Sequence, residues 1–292
     1  MKIGVFGSEY QTDKKALLHR LFDKLKTMNA EIYVDNKFYI YLTGTLNFEP
    51  KITGVLCDDA FDLDIALSVG GDGTFLHTVA RVNRKNIPIL GINTGRLGFL
   101  ADISANEIEK TLDELSENNY IIEERTLLKL HAEDRLFQGY NYALNEVAVL
   151  KRDTSSMITI HTQLNGKFLT SYQADGLVLA TPTGSTAYSM SINGPILIPE
   201  CENLTLSPVA PHSLNVRPLV IPDSYTISLI VESRSNSFLV ALDGRSEVFP
   251  SGIELTISKA GDTAKVIKRC DQTFYQTLRE KLMWGADARK HQ

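Results

Sequence analysis

The feature that most constrains the fold is a change of hydrophobic period along the chain. Over residues 1–120, short apolar runs alternate with segments of helical period. The predicted strands are 2–6, 31–34, 63–69 and 87–91, and the predicted helices are 13–28, 74–84 and 105–117. Strands that alternate with helices favour parallel pairing with helices on both faces. We therefore predict a Rossmann-like α/β domain over residues 1–120.

A different pattern follows, in which short strands come close together. The predicted strands are 121–131, 139–150, 157–164, 167–171, 177–181, 226–231, 238–243 and 254–258, with one helical segment at 185–192. This spacing favours an antiparallel two-sheet sandwich. We predict a mostly-β domain over residues 121–270. The tail, 271–292, regains a helical period, and its helix is predicted to pack back on the first domain.

Composition and charge narrow the classes of function. The chain is 43% hydrophobic and 22% charged, which is ordinary for a globular protein, and its net charge is −5. No apolar run approaches the roughly 18 residues of a membrane helix. The three cysteines, Cys57, Cys201 and Cys270, are far apart and suggest neither a disulfide framework nor a zinc site. We predict a cytoplasmic protein that acts on small molecules, with neither nucleic acid nor membrane as partner.

The sharpest local motif is Gly-Gly-Asp-Gly-Thr at Gly70–Thr74, directly after an apolar strand. Glycines let the backbone approach a ligand closely, and the amides at the start of the next helix favour phosphate oxygens. The predicted phosphate-binding residues are Gly70, Gly71, Gly73 and Thr74. A carboxylate among such amides, Asp72, suits contact with a hydroxyl proton or a metal ion. The alternative is that Asp72 only caps the helix.

The motif is neither a P-loop nor a dinucleotide-binding fingerprint, because the spacing and the following residues differ. It resembles the phosphate-binding motif of NAD kinases, of diacylglycerol and sphingosine kinases, and of phosphofructokinases. Those families transfer a phosphoryl group to a hydroxyl. The resemblance implies a reaction type and leaves the acceptor open.

A second motif lies in the segment 174–191, whose sequence is ADGLVLATPTGSTAYSMS. It is typical of a strand, a Pro/Gly turn and a short helix rich in hydroxyl groups. Small side chains there allow a flat ring to approach the backbone, and Tyr188 offers a stacking face. The alternative is a short helix capped by serine and threonine.

This second segment is similar to a signature of the NAD kinase family of bacterial type. The family's other markers follow in order: Asn145-Glu146, Ser207–Leu214 with Arg217-Pro218, and Asp243-Gly244. The match runs from Val5 to about Cys270. One departure is Asn193-Gly194-Pro195, where the family has Gly-Gly-Pro; because asparagine tolerates positive φ, we expect the turn to persist.

The resemblance implies that the enzyme phosphorylates the 2′-hydroxyl of the adenosine ribose of NAD, with ATP as donor and Mg²⁺ or another divalent metal as cofactor, making NADP. Asp72 would be the catalytic proton acceptor. The implied NAD-binding residues are Asp72, Gly73, His77, Asn145, Glu146, Asp175, Thr186, Ala187, Tyr188, Ser189, Met190, Ser191, Ala210 and Arg245. No side chains are assigned to the metal, and a homo-oligomer, dimer or tetramer, is expected.

Several alternatives remain open from the sequence alone. His77 could be a partly exposed helix residue without a role in binding. The acidic residues Asp58, Asp59, Asp62 and Asp64 could hold a metal, although their position before the strand favours a solvated loop. The rival functions are a lipid or sugar kinase of the same superfamily and a nucleotide-sensing protein without turnover.

Overall fold

The computed structural model describes residues 1–9, 14–95, 98–132, 137, 139–153 and 156–285. The chain forms two compact units. The first unit comprises residues 1–124 and 264–292, and the second unit comprises residues 125–263. The first unit is therefore built from both ends of the chain.

The first unit begins with alternating strands and helices. In chain order its elements are β1 (Lys2–Gly7), α1 (Lys15–Thr27), β2 (Glu31–Asp35), α2 (Asn36–Ile40), a π-helical turn (Tyr41–Thr45), β3 (Gly54–Leu56), β4 (Ile65–Gly70), α3 (Asp72–Val82), a 3₁₀ turn (Asn83–Lys85), β5 (Ile89–Asn93) and α4 (Ile108–Ser116). The alternation predicted from hydrophobic period is confirmed.

The second unit is mostly β. Its elements are β6 (Tyr120–Ala132), which enters from the first unit, β7 (Tyr142–Ala143), β8 (Glu146–Lys151), β9 (Ile158–Leu164), β10 (Lys167–Ala174), β11 (Gly176–Ala180), a 3₁₀ turn (Thr183–Thr186), α5 (Tyr188–Ser191), β12 (Asn203–Val209), β13 (Leu219–Pro222), β14 (Ile227–Glu232), β15 (Ser237–Leu242) and β16 (Arg245–Pro250). The long strand β17 (Glu254–Arg269) then returns to the first unit, where α6 (Phe274–Leu282) follows.

The sheet of the first unit is parallel and has the order β3-β2-β1-β4-β5, with the end of β17 beside β5. The order reverses between β1 and β4. In open parallel sheets, ligands bind beyond the carboxyl ends of the strands at such a reversal. The topology therefore directs attention to the turns after β1 and β4.

Helices cover both faces of this sheet. Leu90 and Ile92 of β5 belong to the buried cluster that also contains Leu21 of α1 and Leu112 of α4. Gly91 lies between them and faces Phe75 of α3, which an added Cβ would approach to 3.0 Å. Because successive strand residues point to opposite faces, α3 covers the face opposite α1 and α4.

The second unit is an antiparallel sandwich, as predicted. One sheet has the order β13-β12-β11-β8-β15-β16, and the other contains β10, β9, β14 and the first half of β17. Val147 and Val240 from one sheet share a buried cluster with Ile160 and Leu229 from the other. The alternating burial along β14 and β15 reflects one face packed inward and one turned outward.

Helix α6 belongs to the first unit, which confirms the predicted return of the C-terminal helix. It begins with a capping box in which Thr273 and Gln276 satisfy each other's backbone amides. Thr277 and Leu278 are buried, and the ring of Phe274 lies 6.1 Å from that of Phe99. These contacts fix the helix beside the loop that follows β5.

The predicted strand 139–150 is wrong as a single element. The structure has two strands, β7 and β8, interrupted at Leu144 and Asn145. The cause is the carboxylate of Asp243, which accepts the backbone amides of Leu144, Asn145 and Glu146 at 2.7–3.2 Å. Amides bound to this carboxylate cannot continue a ladder with a neighbouring strand.

The predicted helix 185–192 is also wrong in detail, because a 3₁₀ turn and the single turn of α5 meet at Ala187, whose φ of −103° and ψ of −128° are not helical. Strands β3, β12, β13 and β16 were not predicted, and α2 was missed. In the described part of the chain, no helix is both long and apolar enough to span a membrane.

Candidate active site

The Gly-Gly-Asp-Gly-Thr motif forms the turn from β4 into α3. Gly70 ends the strand, Gly71 precedes the helix in an extended conformation, and Asp72 is the first helical residue. The turn lies at the reversal of strand order, and the first-turn amides of α3 have no acceptors within the helix. The sequence thus places a carboxylate and helix-terminal amides at the predicted ligand-binding position.

Asp72 does not act as a simple helix cap. Its Oδ2 accepts the backbone amide of Phe99 at 3.0 Å, and its Oδ1 accepts those of Leu100 and Ala101 at 3.1 and 3.0 Å. Gly98 makes this possible, because a Cβ there would lie 1.9 Å from Oδ1. The loop after β5 therefore holds the carboxylate in a fixed orientation.

A lysine from the end of the first unit also reaches this carboxylate. The ammonium of Lys281, in α6, lies 3.5 Å from Oδ2 of Asp72. It also lies 4.5 Å from the centre of the Phe99 ring. Both side chains of the ion pair are about a third exposed. The catalytic carboxylate predicted from the sequence is thus paired with a cation that the sequence analysis did not identify.

An open pocket of about 540 Å³ lies beside the turn. It is lined by Gly7, Ser8, Glu9, Lys37, Gly71, Gly73, Thr74 and His77. A Cβ added at Gly71 or Gly73 would meet no protein atom within 4 Å. These two glycines therefore border open space, as expected of residues whose backbone approaches a ligand. His77 is exposed on α3 and faces the same pocket.

In the second unit, Asn145 and Glu146 lie together at the start of β8. Within the described residues, Oδ1 of Asn145 and Oε2 of Glu146 are buried and have no hydrogen-bond partner. Buried polar atoms are nearly always paired in native proteins. A bound polar ligand would supply the missing hydrogen-bond partners of these two atoms.

The turn 181–188 packs closely on these two residues. The hydroxyl of Thr181 donates to the carbonyl of Leu144 at 2.6 Å, and the amide of Thr181 donates to the carbonyl of Asn145 at 2.9 Å. At Gly184, a Cβ would lie 2.0 Å from the carbonyl oxygen of Asn145, so only glycine fits. The structure thus brings the two sequence motifs of the second unit together.

The pKa of the Glu146 carboxyl group is unusually high. Burial, followed by the nearby charge of Asp243, raises its pKa to about 7, although the backbone amide of Tyr188 partly offsets this. Burial also raises the pKa of Asp243. Glu146 therefore keeps its proton to a higher pH than an ordinary carboxyl group does.

Asp175 and Ala210 lie at the opposite end of β11 from Tyr188. The amide of Asp175 bonds the carbonyl of Val209 at 2.9 Å, and its carboxylate pairs with Lys151 at 2.7 Å. The five residues of β11 lie between Asp175 and the turn that leads to Tyr188. Lys151 also lines a pocket of about 580 Å³ at this end. The predicted NAD-binding residues of the second unit thus form two groups.

The remaining predicted residues differ in accessibility. Ser189 is fully buried and its hydroxyl lies 3.3 Å from that of Ser207, whereas Ser191 is exposed. Thr186, Ala187 and Met190 are partly exposed. The guanidinium of Arg245 donates to the carbonyls of Tyr140 and Tyr142 and lies over the Tyr140 ring. The turn at Asn193 persists with φ of +63°, as expected.

The acidic residues before β4 make contacts of their own. Asp59 pairs with Arg81, and Asp62 pairs with Lys2 at 3.2 Å. Asp64 accepts the amide of Lys2 at 2.7 Å. Among the residues described, no group of three or more His, Cys, Asp or Glu side chains is arranged to hold a metal ion.

Sequence reasoning missed the loop 98–101, Lys37 and Lys281. The loop had a detectable signal, because it follows the predicted strand 87–91, and ligands of parallel sheets bind beyond the carboxyl ends of the strands. Lys37 follows the next strand of the same sheet edge, β2. Lys281 had no local signal, since nothing around it shows that α6 ends beside Asp72.

Two family models match the chain. The model of the ATP-NAD kinase N-terminal domain matches residues 3–120, and that of the ATP-NAD kinase C-terminal domain matches residues 144–269. Among curated relatives, a protein named NAD kinase from Bacteroides fragilis is 52% identical over 289 residues, covering 99% of this chain and all of the relative. One of the same name from Porphyromonas gingivalis is 44% identical and covers 99% of both chains.

Solved structures agree in fold. A yeast NADH kinase complexed with NADH superimposes with a TM-score of 0.88 at 21% identity, covering 98% of this chain and 88% of that one. An NAD kinase from Archaeoglobus fulgidus in complex with ATP superimposes with a TM-score of 0.76 at 27% identity, covering 96% of this chain and 99% of that one. With both domain models matched over most of its length and relatives at this identity, the chain belongs to the ATP-NAD kinase family.

Proposed function

We propose that this protein transfers the γ-phosphoryl group of ATP to the 2′-hydroxyl of the adenosine ribose of NAD, which yields NADP and ADP. The observation that carries the proposal is Asp72. Its carboxylate stands at the reversal of strand order, held by three loop amides beside the amino terminus of α3. A kinase acting on a sugar hydroxyl needs an oriented proton acceptor at this kind of place.

On the donor side, ATP phosphates would occupy the pocket beside Gly71 and Gly73. The first-turn amides of α3 favour negative charge, and Lys37 contributes a cation to the same lining. The open space at both glycines leaves room for phosphate oxygens against the backbone. His77 lies on the same wall and would contact a phosphate or a ribose.

On the acceptor side, Asn145 and Glu146 would bind the adenosine of NAD. The unpaired Oδ1 and Oε2 atoms suit the amino group of adenine and a ribose hydroxyl. Thr186 to Ser191 would line the base, with Tyr188 available for stacking. Asp175, Ala210 and Arg245 remain proposed contacts of the nicotinamide side and the neighbouring surface.

The chemistry balances with these residues. The 2′-oxygen forms a bond to the γ-phosphorus while the bond from that phosphorus to the β-bridging oxygen breaks, and ADP leaves. The hydroxyl proton passes to the Asp72 carboxylate and then to solvent. Alignment and charge neutralisation supply most of the rate in phosphoryl transfer, which is why a rigidly held carboxylate matters more here than its basicity.

A divalent metal would enter with the ATP phosphates. The described side chains offer no ready-made cage, and Mg²⁺ ordinarily binds through substrate phosphates with few protein ligands. The ion would neutralise phosphate charge when bound. We also propose a cytoplasmic homo-oligomer, a dimer or tetramer, whose number of subunits light scattering would give.

The direct test is incubation with ATP, Mg²⁺ and NAD, coupled to a dehydrogenase specific for NADP. We expect NADP to form at the rate of ADP release. Diacylglycerol and fructose 6-phosphate replace NAD as control acceptors and should give no ADP above background. Rapid ADP release with either control, and none with NAD, would overturn the proposal.

A further inference from the structure

The carboxylate of Asp72 is saturated with donors in this structure. A carboxylate offers about four acceptor positions on its two oxygens. Three are taken by the amides of Phe99, Leu100 and Ala101, and the ammonium of Lys281 faces Oδ2. For Asp72 to receive the proton of a substrate hydroxyl, one of these four donors has to move.

Lys281 is the donor that can move. The three amides belong to backbone held by buried Leu100 and Ala101. The ammonium is at 3.5 Å, the longest of the four distances, and its side chain is 31% exposed at the end of α6. Exposed ion pairs of this length cost little to separate. The position that Lys281 occupies on Oδ2 is therefore the one open to a substrate.

The lysine is nevertheless held in place by its surroundings. Its ammonium lies 4.5 Å from the Phe99 ring centre, within the range of a cation–π contact. Phe99 in turn packs on Phe274 at the start of the same helix. One residue, Phe99, thus supports both Asp72, through its amide, and Lys281, through its ring.

We propose that Lys281 is a further active-site residue with two roles. Its ammonium pairs with Oδ2 of Asp72 until the 2′-hydroxyl of NAD replaces it, and it then neutralises the negative charge that builds up there during phosphoryl transfer. The inference rests on the proposed function. The displaced ammonium is tethered near the carboxylate, where the negative phosphoryl group arrives. A cation at that point stabilises the transferring group without forming a covalent bond.

The experiment compares steady-state kinetics of Lys281→Met with those of the unaltered protein. Because the ammonium competes with the hydroxyl for Oδ2 before reaction, its loss should leave KM for NAD equal or lower. Because it neutralises charge during transfer, kcat should fall about tenfold or more. Lys281→Arg, which keeps the charge, should recover most of the loss.

Two controls separate this role from a structural one. Arg279→Met removes a positive charge from the exposed part of the same helix and should leave kcat, KM and Tm unchanged. In an Asp72→Asn background, Lys281→Met should cost less than threefold in kcat, because residues that act together are not additive. Residual rates are measured in long incubations.

The inference fails if kcat of Lys281→Met stays within tenfold of the unaltered protein, if KM for NAD rises together with the loss, or if the loss is equally large in the Asp72→Asn background. If Lys281→Met does not fold, Lys281→Gln is judged by the same criteria. Absence of NADP formation by the unaltered protein would instead refute the proposed function, so the two failures are distinct.

Discussion

At the scale of single residues, the site is governed by what surrounds each carboxylate. Asp72 is about a third exposed and is held by three loop amides and the ammonium of Lys281, whereas Glu146 is buried beside a second acid. The same functional group therefore serves two tasks. Amide donors orient the first, and burial retains the proton of the second.

Asp72→Asn should lower kcat by roughly 10²–10⁴-fold, because the amide cannot accept the hydroxyl proton. Affinity for NAD, measured by calorimetry, should change only a few-fold, since binding relies on other contacts. Asp62→Asn, a change at a highly exposed carboxylate before β4, is the matched control and should behave as the unaltered protein. Near-normal turnover of Asp72→Asn would contradict the assignment.

Glu146→Gln should stabilise the protein in a pH-dependent way. The pKa of Glu146 is raised from an ordinary value of 4.5 to about 7, so the folded state keeps a proton that the unfolded state releases. Stability of the unaltered protein is therefore lost as pH rises from 4.5 to 7, by up to about 3 kcal/mol. Glutamine mimics the protonated acid and avoids this loss.

Urea unfolding at pH 5 and pH 8 measures the effect. The free energy of unfolding of Glu146→Gln should exceed that of the unaltered protein by a small amount at pH 5 and by the largest amount at pH 8. Glu200→Gln, at an exposed position, should show no change of advantage between the two conditions. An advantage that is equal at both pH values would mean that Glu146 is ionised in the folded protein throughout.

At the scale of elements, the hydrophobic periodicity of the sequence identified the strands and helices that have a regular pattern. Strands β1, β4 and β5 and helices α1, α3 and α4 were predicted to within a few residues, because a buried strand or an amphipathic helix has a clear local pattern. Strand β12 was missed since it holds only a few apolar residues, Leu204, Leu206 and Val209, beside Pro208. The break at Leu144 was missed since its cause, Asp243, lies in a distant hairpin turn.

The same distinction applies to the site. The turn 70–74 and the segment 181–191 were recognised because their residues are contiguous. Gly98 and Lys281 contact Asp72 only in the folded protein, and no sequence pattern predicts these contacts because both residues are far from Asp72 along the chain. Sequence reasoning therefore found the carboxylate and missed the groups that orient it.

Gly73→Ala tests the turn as a phosphate-binding element. A Cβ there meets no protein atom within 4 Å, so the unfolding free energy should be unchanged or raised by up to about 1 kcal/mol. The methyl group would project into the space proposed for phosphate. KM for ATP should then rise by about tenfold, or about 1.4 kcal/mol of binding.

The control for this change is Gly44→Ala, at another glycine whose added Cβ has open space, outside the turn. It should leave KM for ATP unaltered. A Gly73→Ala protein that binds ATP normally would show that the phosphates lie elsewhere. Thermal unfolding of both variants verifies that neither change damages the fold.

At the scale of the whole molecule, the first unit is closed by the segment from residue 264 onward. The buried ammonium of Lys268, near the end of β17, pairs with the buried carboxylate of Asp102. Arg269 adds ion pairs to Glu107 at 2.7 Å and to Glu114 at 2.9 Å. These contacts hold the end of β17 against α4 and the segment that precedes it.

Lys268→Met should destabilise the protein by about 3–5 kcal/mol, because it removes the ammonium that pairs with the buried carboxylate of Asp102. Lys265→Met, on the same strand but partly exposed, should cost less than about 1 kcal/mol. Urea unfolding compares the two. Equal midpoints would mean that water or another group compensates the Asp102 charge.

The closure of the first unit by the last part of the chain has a consequence during translation. The second unit, residues 125–263, is continuous and can fold as soon as it leaves the ribosome. The first unit emerges earlier but waits, with an unfilled sheet edge, for β17 and α6. The first unit is therefore complete only after the segment from residue 264 onward has been synthesised, although most of its residues precede those of the second unit.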